Sequence, residues 1–285
     1  CYDMYPNLKI VFTGSSVMRP KEENPELNNI VKSYNLRGFS FREFLNLKTG
    51  NHFRPYTLDE ILRNHERIVK DILPKVSPLS FFQDYLHHGF YPFFQEQRNY
   101  SENLLKTMNM VTEVDILLIK QIELKYLTKI KKLFYLLALE GNKAPNVSWL
   151  AQEIETSRAT VMNYIKYLAD ARLTNMIYPK GCEFPKKPSK VMMHNTNLMY
   201  AIYPIAVKRQ DVMETFFVNT MWKDHNVNQG AKDDFYLVDG SLKFKICNAN
   251  DFEKKKFRQD TIYARYNTEV GNDNLIPLWL LGFLY

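Results

Sequence analysis

The chain has 285 residues, enough for two or three domains of ordinary size. Apolar residues make up 45% of it and charged residues 24%, a composition that excludes a wholly disordered or fibrous protein. Its 38 Lys and Arg residues outnumber its 31 Asp and Glu residues, and the resulting charge of +7 allows a polyanionic partner without requiring one.

Cysteine content and hydropathy indicate the setting in which such a protein works. The three cysteines, Cys1, Cys182 and Cys247, have the spacing of neither a disulfide framework nor a Cys-x-x-Cys metal site. The longest apolar run, at 276–285, is about half as long as a bilayer-spanning helix. We therefore expect a protein of the reducing cytoplasm without a membrane partner. Because the sequence begins with Cys1 rather than Met, we also expect it to be part of a longer chain.

Residues 1–128 are predicted to be mostly helical. An apolar, β-branched run at 8–13 ends at Gly14, which is typical of a buried parallel strand that meets a functional loop. No alternation of strands and helices follows this run. From residue 40 onward, apolar residues recur at helical spacing, and Thr57 with Glu60 forms the capping box that marks a helix start.

Residues 129–193 show a different pattern. Three short stretches with helical spacing, separated by turns, precede two apolar runs at 173–178 and 190–193 that flank a basic, proline-containing tip. Three helices followed by a two-stranded wing predict a winged helix-turn-helix.

Residues 194–285 predict a small α/β domain. A helix is expected at 212–222, and strands are expected at 235–238, at 242–247 and in the apolar C-terminal run. Asp239-Gly240 between the first two strands is a strong hairpin signal. The sequence therefore predicts a multidomain α+β protein with boundaries near residues 128 and 193.

Seven motifs occur in an order that points to a known family. They are VFTGSS at 11–16, GFSFREFLNL at 38–47, GFYPFF at 89–94, the helix-turn-helix stretch at 149–173, HNTNLMYAI at 194–202, ETFFVN at 214–219 and DDFYLVDG at 233–240. In this order they resemble AAA-type ATPases related to the archaeal ATPases, which carry a winged helix and a restriction-nuclease-like C-terminal domain of unknown function. The resemblance covers nearly the whole chain.

The resemblance implies roles for the first segment. Residues 1–128 would be the C-terminal part of the ATPase domain, comprising a sensor strand and a helical lid. Thr13 and Ser15 would be the polar sensors of the γ-phosphate or of the attacking water; the alternative is a strand end whose polar groups are satisfied by its own turn. The full-length family uses ATP and Mg²⁺ and self-associates. No Gly-Lys dipeptide occurs in the 285 residues, so the phosphate-binding loop is missing and the chain alone is expected to need no cofactor and to hydrolyse no ATP.

The winged-helix segment concentrates positive charge. Between residues 130 and 190 there are ten basic and five acidic residues, a net +5. Side chains of this kind suit phosphate and base-edge contacts, which predicts duplex DNA as a partner. An alternative is that the segment packs between neighbours and its lysines are simply solvated. The predicted DNA-contacting residues are Ser157, Arg158, Thr160, Asn163 and Lys166 on the second helix of the motif, and Lys186, Lys187 and Lys190 on the wing.

The C-terminal segment resembles a nuclease site that has degenerated. Glu214 and Asp234 match acidic positions that would hold Mg²⁺. Lys245 stands where a second acid belongs, and Cys247 stands where the lysine belongs. A cation in this pocket repels a metal ion, so we predict a scaffold without cleavage.

Three functions stay open at this stage. The first is a piece of an ATP-binding, DNA-associated regulatory ATPase that is not catalytically competent by itself. The second is a winged-helix DNA-binding or adaptor protein with an eroded ATPase half. The third is a metal-dependent nuclease, which Lys245 disfavours.

Overall fold

A computed structural model describes residues 4–5, 7–14, 26, 29–96, 99–117, 120–230, 235–248 and 258–285. The fold is α+β, as predicted, with a helical first half and a mixed second half. The described helices are α1 (Phe41–Thr49), α2 (Leu58–Ile72), α3 (Pro78–Asp84), α4 (Tyr100–Met110), α5 (Leu127–Glu140), α6 (Val147–Glu153), α7 (Arg158–Asp170), α8 (Thr196–Ile202) and α9 (Arg209–Met221). The described strands are β1 (Thr174–Ile177), β2 (Lys190–Met193), β3 (Val227–Gln229), β4 (Phe235–Val238), β5 (Leu242–Cys247), β6 (Thr261–Arg265) and β7 (Leu275–Pro277).

Shorter helical pieces connect these elements. Two are π-helical turns that continue a preceding α-helix, and the others are 3₁₀ helices. They comprise π-helical Tyr85–Gly89 and Val111–Ile116, and 3₁₀ Pro92–Gln95, Leu124–Tyr126, Pro204–Ala206 and Leu278–Phe283. No helix in the described ranges is long and apolar enough to cross a membrane.

Helix starts in the first half follow local sequence chemistry. The Thr57 hydroxyl accepts a hydrogen bond from the Glu60 amide at 3.1 Å, and the Glu60 carboxylate accepts one from the Thr57 amide at 2.8 Å. The capping box predicted at the start of α2 is therefore confirmed. Ser40 and Glu43 form a second capping box at the start of α1.

Aromatic rings join the helical first half to the C-terminal half. The Phe41 ring of α1 lies 5.0 Å from Phe82 of α3, and Phe82 lies 4.9 Å from Phe216 of α9, measured between ring centroids. Phe283 packs on Phe41 at 6.2 Å. Most of the buried apolar side chains belong to one continuous cluster that runs from α1 to the C-terminal 3₁₀ helix. The domain boundaries near residues 128 and 193 therefore remain predictions.

The C-terminal run differs from its prediction. Only Leu275–Pro277 pairs as a strand, and Leu278–Phe283 forms a 3₁₀ helix whose six residues are all buried. The prediction of a strand along the whole run is wrong because this segment is enclosed on every side by α1, α2, α3 and α9. Continuous apolarity indicates burial without specifying the backbone conformation.

The predicted buried strand at 8–13 is also wrong. These residues form no strand, and Val11 is 92% exposed. A strand needs a neighbour to satisfy its backbone N–H and C=O groups, and no strand in the described ranges pairs with this segment. Thr13 is consequently exposed, and Ser15 lies outside the described residues.

The elements expected between residues 129 and 193 are present in the predicted order. α5, α6 and α7 are followed by β1 and β2, which pair antiparallel with Thr174 opposite Met193 and Ile177 opposite Lys190. The interpretation as a winged helix-turn-helix rests on this order of elements. We call residues 127–193 the helix-hairpin module below.

The second sheet has five strands in the order β3-β4-β5-β6-β7. The β3–β4 and β4–β5 pairs are antiparallel, and the β5–β6 and β6–β7 pairs are parallel. Asp239 and Gly240 both have positive φ, 49° and 70°, which confirms the tight turn predicted between β4 and β5. α9 packs on one face of this sheet, where Phe217 contacts Phe244 with 5.2 Å between ring centroids.

Candidate nucleic-acid interface and nuclease-like pocket

Helix α7 presents the face on which a nucleic-acid site was predicted. It begins at Ser157, whose hydroxyl accepts a hydrogen bond from the Thr160 amide at 3.1 Å. Val161, Ile165 and Leu168 are fully buried against the module core. Because these apolar positions recur every three or four residues, the opposite side of α7 faces solvent.

The structure sorts the predicted residues of α7 into two groups. Arg158 and Asn163 are exposed, and neither side chain makes a hydrogen bond or ion pair with a described residue. Ser157 and Thr160 are committed to the helix cap, with 2.9 Å between their hydroxyl oxygens. Lys166 is half-buried and donates to Asp170 at 2.6 Å. Arg158 and Asn163 are therefore the side chains that α7 offers to a partner.

Ion pairs reduce the positive charge of the module. Five of the ten basic residues in the segment 130–190 lie within 4 Å of a carboxylate, and two of those carboxylates, on Glu113 and Glu214, lie outside that segment. The surface is therefore less positive than the formal +5 of the segment indicates. The five pairs are Lys131–Glu113, Lys132–Glu153, Lys143–Glu140, Lys166–Asp170 and Lys190–Glu214.

The hairpin is attached to the five-stranded sheet. The Gln229 amide of β3 donates to the Tyr178 carbonyl at 2.8 Å, and Lys180 donates to the Gly240 carbonyl at 3.2 Å. Lys186 and Lys187, at the tip between β1 and β2, stay exposed. The base of the hairpin is thus fixed, and its tip presents two lysines to solvent.

The position of Lys190 contradicts one predicted DNA contact. Its side chain is 9% exposed, and its ammonium donates to Glu214 at 2.9 Å and to the Tyr236 hydroxyl oxygen at 3.2 Å. Position 190 is the first residue of β2, and its side chain points towards Glu214 of α9 and Tyr236 of β4 rather than towards solvent. A buried, paired ammonium is unable to reach a DNA backbone, so the prediction for Lys190 is wrong.

Glu214 is already fully hydrogen-bonded. One carboxylate oxygen accepts from Lys190 and from the Tyr236 hydroxyl, the latter at 2.5 Å, and the other accepts from Gln210 at 3.0 Å. Burial and the Glu214 charge raise the pKa of Tyr236 well above its ordinary value. The carboxylate that was matched to a metal ligand is therefore neutralised by a lysine of the hairpin. No group of three or more His, Cys, Asp or Glu in the described ranges forms a metal site.

Lys245 does not belong to this pocket. Phe244 and Ile246 of β5 point towards α9, and successive side chains of a strand point to opposite faces. The Lys245 ammonium accordingly lies on the other face, 5.0 Å from the centroid of the Phe235 ring. The degenerate site predicted from Glu214, Asp234 and Lys245 is thus wrong in placing Lys245 beside Glu214. Asp234 lies outside the described residues.

Sequence reasoning missed a structural centre at residues 194–197. The Asn197 side-chain oxygen accepts from the Phe90 amide at 2.8 Å, and its amide donates to the Leu86 carbonyl at 2.8 Å. Thr196 also donates to the Leu86 carbonyl, at 2.6 Å. These bonds satisfy the backbone of the π-helical turn Tyr85–Gly89. The available signal was a run of four polar residues directly before an apolar helical stretch.

His194 is the neutral member of this centre. Burial, together with the charges of Arg37 and Arg172, lowers its pKa to about 3. Its ring nitrogen Nδ1 lies 2.9 Å from the Asn175 side-chain oxygen, and its backbone carbonyl accepts from Asn219 at 2.9 Å. His194 therefore links the hairpin to α9.

Comparisons with known proteins overlap this part of the chain. A domain of unknown function (DUF8612) matches residues 80–206. An uncharacterized protein, MJ1637, from Methanocaldococcus jannaschii is 27% identical over 181 residues, which cover 61% of this chain and 38% of that protein. The chain thus spans well under half the length of that relative. No solved structure matches the chain.

The DUF8612 match covers the middle of the chain. It begins in α3 and ends just after α8, so it contains the π-helical turn, the helix-hairpin module and the centre at 194–197. Glu214 and the five-stranded sheet lie beyond it. The similarity therefore covers the exposed face of α7, and it leaves out the nuclease-like pocket.

Proposed function

We propose that this chain binds duplex DNA through the exposed face of α7, as a non-catalytic part of a DNA-associated regulatory ATPase of the AAA type. One observation carries the DNA-binding part: Arg158 and Asn163 are exposed on one helix without partners among the described residues. The ATPase part is supported by the ordered motifs that resemble that family.

The chemistry of α7 suits nucleic acid. An arginine presents a planar fork of donors to guanine or phosphate, and an asparagine amide pairs with adenine. Arg158 is the first residue of α7, where the helix dipole favours phosphate. Lys186 and Lys187 supply phosphate contacts from the hairpin tip.

Catalysis is left out of the proposal for two reasons. ATP hydrolysis needs a phosphate-binding loop, and the 285 residues contain no Gly-Lys dipeptide. Metal-dependent cleavage needs acids that are open to a cation, and Glu214 instead receives Lys190, Tyr236 and Gln210. ATP and Mg²⁺ belong to the proposal only through the wider family.

An adaptor function is the second candidate. The five ion pairs of the module and the bond from Lys180 to Gly240 favour it, because they engage much of the positive charge in contacts within the chain. In that case α7 packs against a protein, and DNA affinity is absent.

Fluorescence anisotropy with a labelled mixed-sequence duplex distinguishes the two candidates. For DNA binding, we expect saturable binding whose logarithmic affinity falls linearly with the logarithm of salt concentration. Replacing Lys186 and Lys187 with Gln flattens that slope, because fewer counterions are released. Absence of binding at low salt leaves the adaptor function as the better account.

A further inference from the structure

A second exposed surface lies on the side of α5 that faces away from its core. Tyr135 is 45% exposed and Leu139, one helical turn later, is 40% exposed. The Tyr135 ring meets the Tyr203 ring edge-on, with 6.4 Å between centroids, and Ile205 two residues later is 91% exposed. We call Tyr135, Leu139, Tyr203 and Ile205 the α5 patch. Neighbouring exposed apolar side chains of this kind are typical of a protein-binding surface.

A small cleft of about 30 Å³, open to solvent, adjoins the α5 patch. Leu139 and Tyr203 line the cleft, and so do the acidic residues Glu140 and Asp211. Lys208 is the one basic residue of its lining, and it is exposed at the surface. The cleft therefore combines apolar walls with an excess of negative charge.

Glu140 carries an unused acceptor. Its side chain is only 10% exposed, and Oε1 accepts from Lys143 at 2.9 Å. Oε2 is buried and has no hydrogen-bond partner among the described residues. A buried carboxylate oxygen without a partner among the protein groups destabilises the protein, so a donor that reaches it supplies a favourable interaction.

Asp211 adds a second carboxylate beside it. Burial and the neighbouring Glu214 charge raise the pKa of Asp211. Gly141 has φ of 73°, and a Cβ atom at that position would lie 2.4 Å from the Asp211 carboxylate. Because glycine has no Cβ atom, the Asp211 carboxylate can occupy this space at the cleft.

We propose that the α5 patch and the adjoining cleft bind a protein segment in which an arginine is flanked by apolar residues. The guanidinium enters the cleft towards Glu140 and Asp211, because its fork of donors serves two carboxylates at once. The flanking apolar side chains cover Tyr135, Leu139 and Ile205. Charge complementarity selects this partner over a purely apolar one, and no residue of the proposed DNA-binding surface takes part.

Two fluorescein-labelled peptides test this proposal on the full chain by fluorescence polarisation. One carries a single arginine between leucine and phenylalanine, and the other carries citrulline, which keeps the shape of arginine and lacks its charge. We expect the arginine peptide to bind, and the citrulline peptide to bind about tenfold more weakly or worse.

Four variants locate the site. Glu140→Gln and Leu139→Ser are expected to weaken the arginine peptide about tenfold. Glu153→Gln, an acid on α6, and Leu124→Ser, a leucine that is 73% exposed, serve as matched controls and leave binding unchanged. Circular dichroism melting confirms that each variant is folded. If Glu140→Gln fails to fold, the citrulline peptide and the Leu139→Ser variant still test the proposal.

Three outcomes overturn the proposal. The first is no binding of the arginine peptide at millimolar concentration. The second is equal affinity for the two peptides. The third is an equal effect of the site variants and of their controls.

Discussion

The exposed face of α7 and the pocket around Glu214 are the two regions in which sequence chemistry predicted nucleic-acid contacts. Both contain a polar or charged side chain on a helix, Arg158 on α7 and Glu214 on α9. On α7, Arg158 and Asn163 are exposed to solvent. In the pocket, Lys190 and Tyr236 donate hydrogen bonds to the Glu214 carboxylate. The two regions differ in what packs over them, because Lys190 of β2 and Tyr236 of β4 cover Glu214, whereas no described residue bonds to Arg158 or Asn163 on α7.

Residue type therefore predicts which interactions a side chain can make, but it does not predict whether the side chain is accessible to a partner. A lysine on an exposed strand attracts phosphate, and the same lysine inside a core serves as the counter-ion of an acid. Lys190 has the second role although its neighbours in sequence, Lys186 and Lys187, are exposed. The measurements below test this difference in order of decreasing effect.

The largest effect is expected from breaking the buried pair. Lys190→Ala or Glu214→Ala leaves one charge unpaired in a site where both side chains are under 10% exposed. We expect the free energy of unfolding to fall by about 3–5 kcal/mol in urea denaturation. The double variant Lys190→Met with Glu214→Leu is expected to recover most of the loss, since no lone charge remains. Single variants that lose less than about 1 kcal/mol would show that the charge pair is not desolvated.

A pH effect is expected from His194. Its folded pKa of about 3 lies below the ordinary value of 6.5, so the unfolded chain binds a proton more readily than the native one. The stability contributed by neutral His194 is present above pH 6.5 and is lost as pH falls towards 3. Between pH 7 and pH 5 the loss is about 2 kcal/mol.

Urea denaturation at the two pH values measures this loss. His194→Gln serves as the comparison, because glutamine does not titrate and its stability is expected to change less over the same range. An equal pH dependence in both proteins would assign the effect to other groups.

The smallest effects are expected in assays of ATP binding and of DNA cleavage. Because the chain lacks a phosphate-binding loop, isothermal titration with ATP and Mg²⁺ is expected to show no tight binding. Because Glu214 is neutralised, supercoiled plasmid with Mg²⁺ or Mn²⁺ is expected to stay intact. Micromolar ATP affinity would refute the first expectation. Nicking that disappears in Asp234→Asn would refute the second and make the pocket an active nuclease.

Local features were the ones that the sequence predicted well. The capping box at Thr57 and Glu60 and the turn at Asp239-Gly240 depend on residues at most three positions apart, so their chemistry is visible in the sequence. The burial of Val161, Ile165 and Leu168 followed from helical spacing in the same way.

Long-range packing could not be predicted from these patterns. The pairing of Lys190 with Glu214 joins residues 24 positions apart on different elements. The conformation at 278–283 depends on helices from the opposite end of the chain, and the exposure at 8–13 depends on the lack of a neighbouring strand among the described residues. The alternation of side chains along β5 places Lys245 on the opposite face from Phe244 and Ile246. The sequence does not show on which of these faces α9 packs, so the error at Lys245 could not be seen from the pattern alone.

The most direct test of DNA binding by α7 compares two arginine variants in the anisotropy measurement. Arg158→Ala removes the exposed guanidinium of α7, and Arg63→Ala removes the same charge from α2, where the side chain is 75% exposed. For a base contact at position 158, Arg158→Ala is predicted to lower the binding free energy by about 1–3 kcal/mol, while Arg63→Ala leaves it nearly unchanged. Equal losses for the two variants, or no loss for Arg158→Ala, would contradict the assignment of α7 as the DNA-binding element.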